Sequence, residues 1–368
     1  MSLRNIGHRL YQGEVSFDFV GKRKIWYSIS GVIVLVAAIG LAMGLHLGIE
    51  FKGGSVYTVQ KQGLTVSQAQ DAANHITGDT TAQVQKTGDG KIRIQVSSEE
   101  KISGPAFSQE LSKEIGVPTK DIDAQVIGPS WGKQISQKAL LGLVVFMVLV
   151  TAYLAIAFEW RMALAALVAL IHDLLITIGV YALVGFEVTP GTVIGFLTIL
   201  GYSLYDTVVV FDTVKENTRG ITKQNKRTYS EAANLGLNQT LVRSINTTVV
   251  ALLPVTALLF IGGGMLGAGT LNDISLALFI GLAAGAYSSI CVATPLLAQL
   301  KEQTPEMRAL AKRVAQRRAA DAKAAEAAGT AEGGENAEDG EEVGAGVVGQ
   351  RNQPVARTRG KGRPSGKR

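Results

Sequence analysis

The stretch Gly191–Phe211 reads GTVIGFLTILGYSLYDTVVVF, an apolar run with a single charged side chain, Asp206. A helix of about 20 residues crosses the hydrocarbon core of a bilayer. Five further runs of comparable length occur in the chain, at Ile25–Leu47, Ala139–Phe158, Met162–Val184, Ser244–Ile261 and Ile274–Leu297. The sequence therefore predicts a polytopic α-helical membrane protein with six transmembrane helices.

The composition argues against several other classes of protein. Hydrophobic residues make up 47% of the chain and charged residues only 18%, which is unusually apolar for a soluble domain. The net charge of +6 comes from loops and from the basic end Gln350–Arg368, so nucleic-acid binding is not expected. The single cysteine, Cys291, excludes an intrachain disulfide. The chain has no GxxxxGK(S/T) motif and no metal-ligand spacing, so we expect no cofactor, no metal and no enzymatic activity.

The distribution of basic residues predicts the orientation, because Lys and Arg are enriched in short cytoplasmic loops. Lys22–Lys24 precede the first run, and Lys215–Arg227, between the fourth and fifth runs, carries five basic residues. The turns Gly185–Pro190 and Gly262–Asp273 on the opposite side contain none. Both termini of this multi-pass protein are therefore predicted to be cytoplasmic.

This topology divides the chain into five segments. Residues 1–24 are a cytoplasmic N-terminal segment, 25–47 the first transmembrane helix and 48–138 an extracytoplasmic domain. Residues 139–300 complete the bundle with five helices, and 301–368 form a cytoplasmic charged tail. Within the tail, Glu306–Ala328 is rich in alanine and could form a helix. The remainder lacks aromatic residues and is predicted to be largely disordered.

The extracytoplasmic segment has the pattern of a small α+β domain. Four strands and two helices are predicted in the order β-α-β-β-α-β, with a hairpin at Thr87–Gly90, and this order is that of a ferredoxin-like domain. Their predicted bounds are Val56–Gln60, Val66–Ile76, Ala82–Lys86, Lys91–Val96, Phe107–Ile115 and Ile122–Ile127. The segment contains no catalytic constellation, so we expect a binding or mechanical role.

Asp206 is the leading candidate for a functional side chain. Hydrocarbon does not solvate a charge, so ionisable residues within spans usually face a partner or a wet pathway. Tyr202 and Thr198 precede Asp206 by one and two helical turns, and with Ser203 they form a predicted polar face towards the bundle interior. We expect Asp206 to bind and release a proton. An aspartate that only hydrogen-bonds across helices is the alternative.

Three other ionisable residues lie within the apolar runs or at their edge. Arg243 opens the fifth run, and taken alone it could equally extend its side chain to the lipid headgroups. Asp173 and His172 are adjacent in the third run. For Asp173, a role in proton movement and a hydrogen bond between helices are equally compatible with the sequence, and His172 is a weaker candidate for a proton shuttle.

Two glycine-containing segments join the outer domain to its spans. They are Glu50-Phe51-Lys52-Gly53-Gly54 before the domain and Gly128-Pro129-Ser130-Trp131-Gly132 after it. Glycine permits large changes in φ and ψ. We therefore predict that both segments bend when the domain moves.

Several of these motifs together resemble the SecD/SecF family of bacterial protein-export membrane subunits, relatives of the resistance–nodulation–division transporters, and its SecF branch in particular. The resemblance covers about residues 20–300. Its most specific part is Gly201-Tyr202-Ser203-Leu204-Tyr205-Asp206. It is supported by Asn238-Gln239-Thr240-Leu241-Val242-Arg243 and Ile171-His172-Asp173. Glu50 stands where the family commonly has aspartate, and Trp131 where a smaller residue is usual.

The resemblance implies a function and partners. A member of this branch pairs with a SecD-like half, and the pair assists the SecYEG channel and the SecA motor in moving unfolded polypeptide across the bacterial cytoplasmic membrane. The proton-motive force supplies the energy. By transfer from the family, Asp206 is the proton-responsive carboxylate and Arg243 its partner in conduction. A small-molecule or lipid exporter subunit of the wider superfamily and a non-conducting scaffold of the translocase are the alternatives.

Overall fold

The structure is a computed structural model that describes residues 16–78, 82–87, 90–97, 104–265 and 269–333. The chain divides into two units, Met1–Arg317 and Arg318–Arg368. Elements of the first half are α1 (Arg23–Met43), β1 (His46–Leu47), α2 (Ile49–Lys52), β2 (Gly54–Val59), α3 (Val66–Thr77), β3 (Gln83–Lys86), β4 (Ile92–Ser97), α4 (Pro105–Ile115), β5 (Ile122–Ile127) and α5 (Pro129–Ala157). Elements of the second half are α6 (Trp160–Val184), β6 (Glu187–Val188), α7 (Pro190–Asn217), α8 (Tyr229–Ala257), α9 (Gly269–Ser288), α10 (Thr294–Glu302) and α11 (Pro305–Gly333).

Within the described part of the chain, six helical spans are long and apolar enough to cross a membrane, which agrees with the predicted number. They are formed by α1, α5, α6, α7, α8 and a final span in which α9 continues into α10. A π-helical segment, Ser289–Ala293, joins α9 to α10, and a second one, Leu258–Met265, follows α8. The chain is therefore a multi-pass membrane protein.

The α+β domain has the predicted order of elements. Its four strands form an antiparallel sheet in the order β3-β4-β2-β5, so that β2 is paired on both edges. The helices α3 and α4 bury apolar side chains against this sheet, and the ring of Tyr57 stacks on that of Phe107 with centroids 4.5 Å apart. Thr65 caps α3 in a capping box with Gln68. The predicted strand and helix bounds differ from the observed ones by two residues at most, whereas Gly88 and Asp89 of the predicted turn lie outside the described residues.

Small residues bring α7 and the last span into close contact. A Cβ atom built on Gly195 would lie 2.6 Å from the Cβ of Ala277, and one on Gly285 would lie 3.0 Å from the Cβ of Ser203. Neither position has room for a larger side chain without movement of its neighbour. This close approach places the middle of α7 directly against the segment that precedes the Ser289–Ala293 turn.

The first span is shorter than predicted. The sequence predicted a helix over 25–47, but α1 ends at Met43, where Gly44 adopts a φ of +101°. The following residues His46–Leu47 pair in parallel with Glu187–Val188. The hydrophobic run continues beyond the helix because Leu45 and Leu47 pack against the cluster around Tyr181 and Phe196.

The two segments predicted to bend are parts of a packed junction in this structure, and their bending stays a prediction. Ile49–Lys52 forms the short helix α2, and Phe51 packs against buried side chains of the bundle. Gly53 and Gly54 are buried, and a Cβ on Gly54, whose φ is +151°, would lie 2.5 Å from the carbonyl oxygen of Val96. We call α2, Gly53, Gly54 and the start of α5 the junction.

The second span begins within the same junction. Gly128 is the N-cap of α5 and Pro129 its first residue, so the helix starts ten residues before the predicted run at Ala139. A Cβ on Gly132 would lie 2.5 Å from the carbonyl oxygen of Phe51, which shows that the first turn of α5 contacts the α2 backbone. The last strand of the domain therefore ends at Ile127, and α5 begins within the segment 48–138 that was predicted to be extracytoplasmic.

Part of the tail belongs to the folded core. The predicted helix at Glu306–Ala328 is confirmed as α11, and its residues Leu310 and Val314 are buried against Ile221 and Ala232. The tail is therefore ordered from Pro305 to at least Arg317, in contrast to the predicted boundary at residue 301. Residues 334–368 lie outside the described part of the chain.

Candidate functional site

Asp206 lies in the middle of α7 and is 6% exposed, which confirms that it faces the bundle interior. Its two carboxylate oxygens accept hydrogen bonds from two other helices. The Ser244 hydroxyl of α8 donates to Oδ1 at 2.7 Å, and the Ser289 hydroxyl of the last span donates to Oδ2 at 2.5 Å. Three spans are therefore joined at one carboxylate by neutral donors.

Arg243 does not pair with Asp206 in this structure, and its role as the partner in conduction stays a prediction. Its side chain is exposed, and its Nη2 contacts the hydroxyl of Tyr205 at 3.4 Å. Ser244, which binds Asp206, is the next residue on α8, and successive residues on a helix point about 100° apart. Among the residues that the structure describes, no Lys or Arg makes an ion pair with Asp206.

A second carboxylate, Asp173 of α6, is fully buried. The Ser203 hydroxyl of α7 donates to its Oδ2, whereas its Oδ1 has no hydrogen-bond partner in the described part of the chain. The nearest cationic candidate is His172, whose Nδ1 lies 3.9 Å from that oxygen, beyond hydrogen-bond distance. The structure therefore brings both sequence candidates, Asp173 and His172, to the same buried layer as Ser203.

His172 links this layer to the first and last spans. Its Nδ1 lies 3.2 Å from the hydroxyl of Ser288, and its ring stacks on that of Tyr287 with centroids 6.0 Å apart. The hydroxyl of Tyr287 is in turn 2.9 Å from that of Ser30 on α1. His172 Nε2 is buried without a partner in the described residues.

Three serines that were not predicted as site residues contribute to this layer: Ser244 and Ser289 donate to Asp206, and Ser288 contacts His172. Ser288 ends α9 and Ser289 begins the π-helical segment, so consecutive hydroxyls reach His172 and Asp206. A π-helical turn inserts an extra residue into the helix and occurs frequently at functional sites. The adjacent serines within an apolar run were a usable signal, because hydroxyls in such runs often bond across helices.

The predicted polar face of α7 is only partly correct. Ser203 is buried and bonded to Asp173, and the hydroxyl of Tyr202 donates to the carbonyl oxygen of Thr247 at 2.9 Å. Thr198 is exposed, and its hydroxyl bonds to Ile194 within its own helix. Eight residues of α-helix do not complete a whole number of turns, so Thr198 is rotated by about 80° from Asp206.

A separate ionic contact joins the α+β domain to the bundle. Arg93 of β4 lies 3.4 Å from Glu187 of β6, and these side chains are 26% and 13% exposed. Burial raises the pKa of Glu187 above its ordinary value of 4.5, the Arg93 guanidinium opposes this shift, and the Glu50 and Asp273 carboxylates add to it. One oxygen each of Glu187 and Glu50 is buried without a partner in the described residues.

This contact predicts a pH dependence of stability. Because the native pKa of Glu187 is raised, the folded chain binds its proton more tightly than the unfolded chain does. The stability contributed by protonation of Glu187 is therefore greatest when the pH is below the ordinary pKa of glutamate. It decreases as the pH rises from that pKa to the native pKa, and it no longer changes when the pH is above the native pKa. Glu187→Gln should flatten this part of the curve of melting temperature against pH.

The control is Glu110→Gln, which replaces an exposed glutamate on α4 and should leave the pH dependence as in the unmodified chain. Melting would be followed by intrinsic fluorescence of the purified full chain in detergent. Equal pH slopes for the Glu187 and Glu110 variants would contradict the expectation.

No described residues form a cluster of three or more His, Cys, Asp or Glu side chains suited to a metal ion. The buried layer thus consists of two carboxylates, one imidazole and several hydroxyls, arranged on four spans. Such an arrangement can bind and exchange protons, since each of its groups can accept or donate one.

Comparison with known proteins identifies the family. A family model described as "Protein export membrane protein SecD/SecF, C-terminal" matches residues 107–303, more than half of the chain. A second, "SecD/SecF GG Motif", matches residues 39–60 and includes Gly53 and Gly54. The chain belongs to the SecD/SecF family. The resemblance seen in the sequence is thereby confirmed.

Curated members of the SecD/SecF family match along most of the chain. Protein translocase subunit SecF of Streptomyces coelicolor is 60% identical and covers 100% of this chain and 99% of its own. Protein translocase subunit SecF of Mycobacterium tuberculosis is 42% identical over 89% of this chain and 76% of its own. That of Rhodothermus marinus is 34% identical over 80% of this chain and 97% of its own.

Solved SecDF structures share the fold. SecDF of Thermus thermophilus, described as a translocon-associated membrane protein, has a TM-score of 0.67 at 28% identity over 78% of this chain. SecDF in a super-membrane-facing form has a TM-score of 0.58 at 28% identity over 82% of this chain. The chain spans about two fifths of each of those chains, 39% and 40%.

Proposed function

We propose that this chain is the SecF-like half of a membrane assembly that uses the proton-motive force, with a SecD-like half, to promote late steps of polypeptide export through the SecYEG channel after SecA has acted. The observation that carries the proposal is Asp206, a buried carboxylate on three helices with no cation partner among the described residues. An intramembrane carboxylate without a cation partner is a candidate for proton movement. Its charge state can therefore follow proton access from either side of the membrane.

Two observations support a SecD-like half as the partner of this chain. The chain spans only about two fifths of SecDF, which leaves room for a second, similar half in the assembly. Arg243 and Asn246 are exposed at the middle of α8, where hydrocarbon would surround them in an isolated chain. Polar side chains within spans usually face protein or water rather than lipid. We place the SecD-like half against this face, with a partner carboxylate opposite Arg243.

The proposal also includes the orientation of the chain in the membrane. With the basic loop after α7 and the tail in the cytoplasm, the α+β domain stands on the extracytoplasmic side of the bacterial cytoplasmic membrane. There it contacts emerging unfolded polypeptide, and changes at the buried layer move it through the junction. The electrical part of the gradient supplies about 2.3 kcal/mol per charge per 100 mV. This role needs no cofactor, no nucleic acid and no enzymatic step.

The experiment compares inverted membrane vesicles that contain or lack this chain, each with SecYEG, SecA and the SecD-like partner. Protease protection of a precursor would be measured with and without an imposed proton gradient. We expect the gradient to increase completed export only when the chain is present. A gain of equal size in both vesicles would refute the proposed function. Gradient-driven efflux of a dye or lipid from liposomes containing the pair would instead favour the exporter alternative, and an export gain from the chain without any gradient would favour the scaffold.

A further inference from the structure

The fully buried Asp173 is not explained by packing alone. It is 0% exposed, and only one of its two carboxylate oxygens has a hydrogen-bond donor in the described residues. An ionised carboxylate in that position would have an unsatisfied negative oxygen in a dry interior, which is costly. An asparagine or a leucine would serve packing at lower cost. The position therefore has the properties of a proton-binding group.

Asp173 is connected to Asp206 by two separate routes. Through α7, Ser203 binds Asp173 and lies three residues before Asp206, a rise of about 4.5 Å along the helix. Through the last span, Ser288 contacts His172 while its neighbour Ser289 binds Asp206. Both routes run through hydroxyls, which can accept one hydrogen bond and donate another.

The one potential cation beside Asp173 among the described residues is His172, 3.9 Å away, which is charged only when it is protonated. The titratable groups nearest to Asp173 are His172 on its own helix and Tyr287 of α9 through the His172 ring, and Asp206 of α7 lies three residues beyond Ser203, which binds Asp173. Cys291 is near Tyr287 on the last span. Among the described residues, no Lys or Arg is paired with either carboxylate. Two negative charges in one dry layer repel each other, so the layer is most stable when it carries at most one.

We propose that Asp173 is a second proton-binding carboxylate of the coupling site and that it titrates together with Asp206 as a pair, with His172 as the residue that positions it. The inference rests on the proposed function for what proton binding would be used for. The experiment below tests proton binding itself and does not depend on that function. In the resting pair one of the two carboxylates carries a proton. Release of this proton leaves both groups charged and repelling, which loosens the contacts of α6, α7 and the last span at this layer. His172 holds Asp173 against Ser203 through its own contact with Ser288.

The test is infrared spectroscopy of the full chain, purified with its SecD-like partner in lipid nanodiscs and titrated with pH. Protonated carboxyl groups give a band that disappears on ionisation, and difference spectra against each variant assign it. We expect Asp206→Asn and Asp173→Asn each to remove one step of a two-step titration. We also expect each to shift the midpoint of the remaining step by about one pH unit or more, because strongly interacting sites titrate as a pair.

Controls separate the pair from structural effects. Asp212→Asn replaces an exposed aspartate of α7 and should change neither step. Ser203→Ala removes only the hydroxyl bound to Asp173 and should shift the frequency of one band, which keeps the proposal testable if Asp173→Asn does not assemble. His172→Gln should likewise move the Asp173 step while leaving assembly unchanged. Spectra of Asp173→Asn and Ser203→Ala that match those of Asp212→Asn would overturn the proposal.

Failure here and failure of the proposed function have different signatures. If Asp173 gives no titrating band while the gradient still increases export, only the paired carboxylates are refuted. If both bands titrate as a pair but the gradient has no effect on export in the vesicle experiment, the pair stands and the proposed function fails.

Discussion

Asp206→Asn is expected to leave the chain folded and assembled but to reduce the gradient-dependent gain in export to background. Asparagine has nearly the shape of aspartic acid, and its amide oxygen can still accept from Ser244 or Ser289. It does not titrate, so the proton has no carboxylate to bind on α7. Export would be measured as protease-protected precursor in inverted vesicles with and without an imposed proton gradient.

Two comparisons make the Asp206 result specific. Asp212→Asn, on the same helix but exposed, should retain the full gain. Ser289→Ala removes one of the two donors to Asp206 and should change the pH at which the gain is half-maximal rather than abolish it. If Asp206→Asn keeps the whole gradient-dependent gain, Asp206 is not the proton carrier.

Arg243→Lys should have the second largest effect. If a carboxylate of the SecD-like half lies opposite Arg243, the planar guanidinium can bind it through two hydrogen bonds, and an ammonium loses this geometry. We expect the gradient-dependent gain to fall roughly tenfold, which corresponds to about 1.4 kcal/mol. Arg219→Lys, in the exposed loop after α7, is the matched control with the same change of side chain.

The Arg243 experiment also distinguishes the two interpretations of its exposed side chain. Co-purification of the SecD-like half should weaken for Arg243→Ala and remain intact for Arg219→Ala. Unchanged export and unchanged co-purification for the Arg243 variants would favour a side chain that reaches the lipid headgroups, and the predicted partner contact would then be wrong.

The number of spans and the order of elements in the α+β domain were predicted well, because each depends on residues that are neighbours in the sequence. A run of apolar residues is long enough to cross a bilayer wherever it packs, so six spans were predictable. Alternating residues and turn motifs likewise gave the order of the α+β domain. The ends of helices were less predictable. Gly44 ends α1 inside its apolar run, whereas α5 begins ten residues before its own run because nothing requires a helix to stop where hydrocarbon stops.

The sequence predicted which residue types form the site, but it did not predict which side chains bind to one another. Burial of Asp206 follows from its position in an apolar helix, and the structure confirms it. Whether Arg243 or Ser244 turns towards Asp206 depends on how α8 is rotated, which is set by the packing of all its neighbours. Ser288 and Ser289 both reach the layer because they contact different helices, Ser288 through His172 and Ser289 through Asp206, just where the π-helical segment begins. No local pattern in the sequence specifies that extra residue.

The junction at the base of the α+β domain has a mechanical consequence. Atoms of Phe51 and Gly53 approach Gly132 so closely that a single methyl group would not fit between α2 and α5. Close-packed interiors are hard to compress and transmit strain. A force on the α+β domain is therefore transmitted through the junction to both the first and the second span. Flexible linkers would instead absorb part of the displacement. The domain then behaves as a rigid arm on two supports, and a small rotation at its base becomes a larger displacement at its far end.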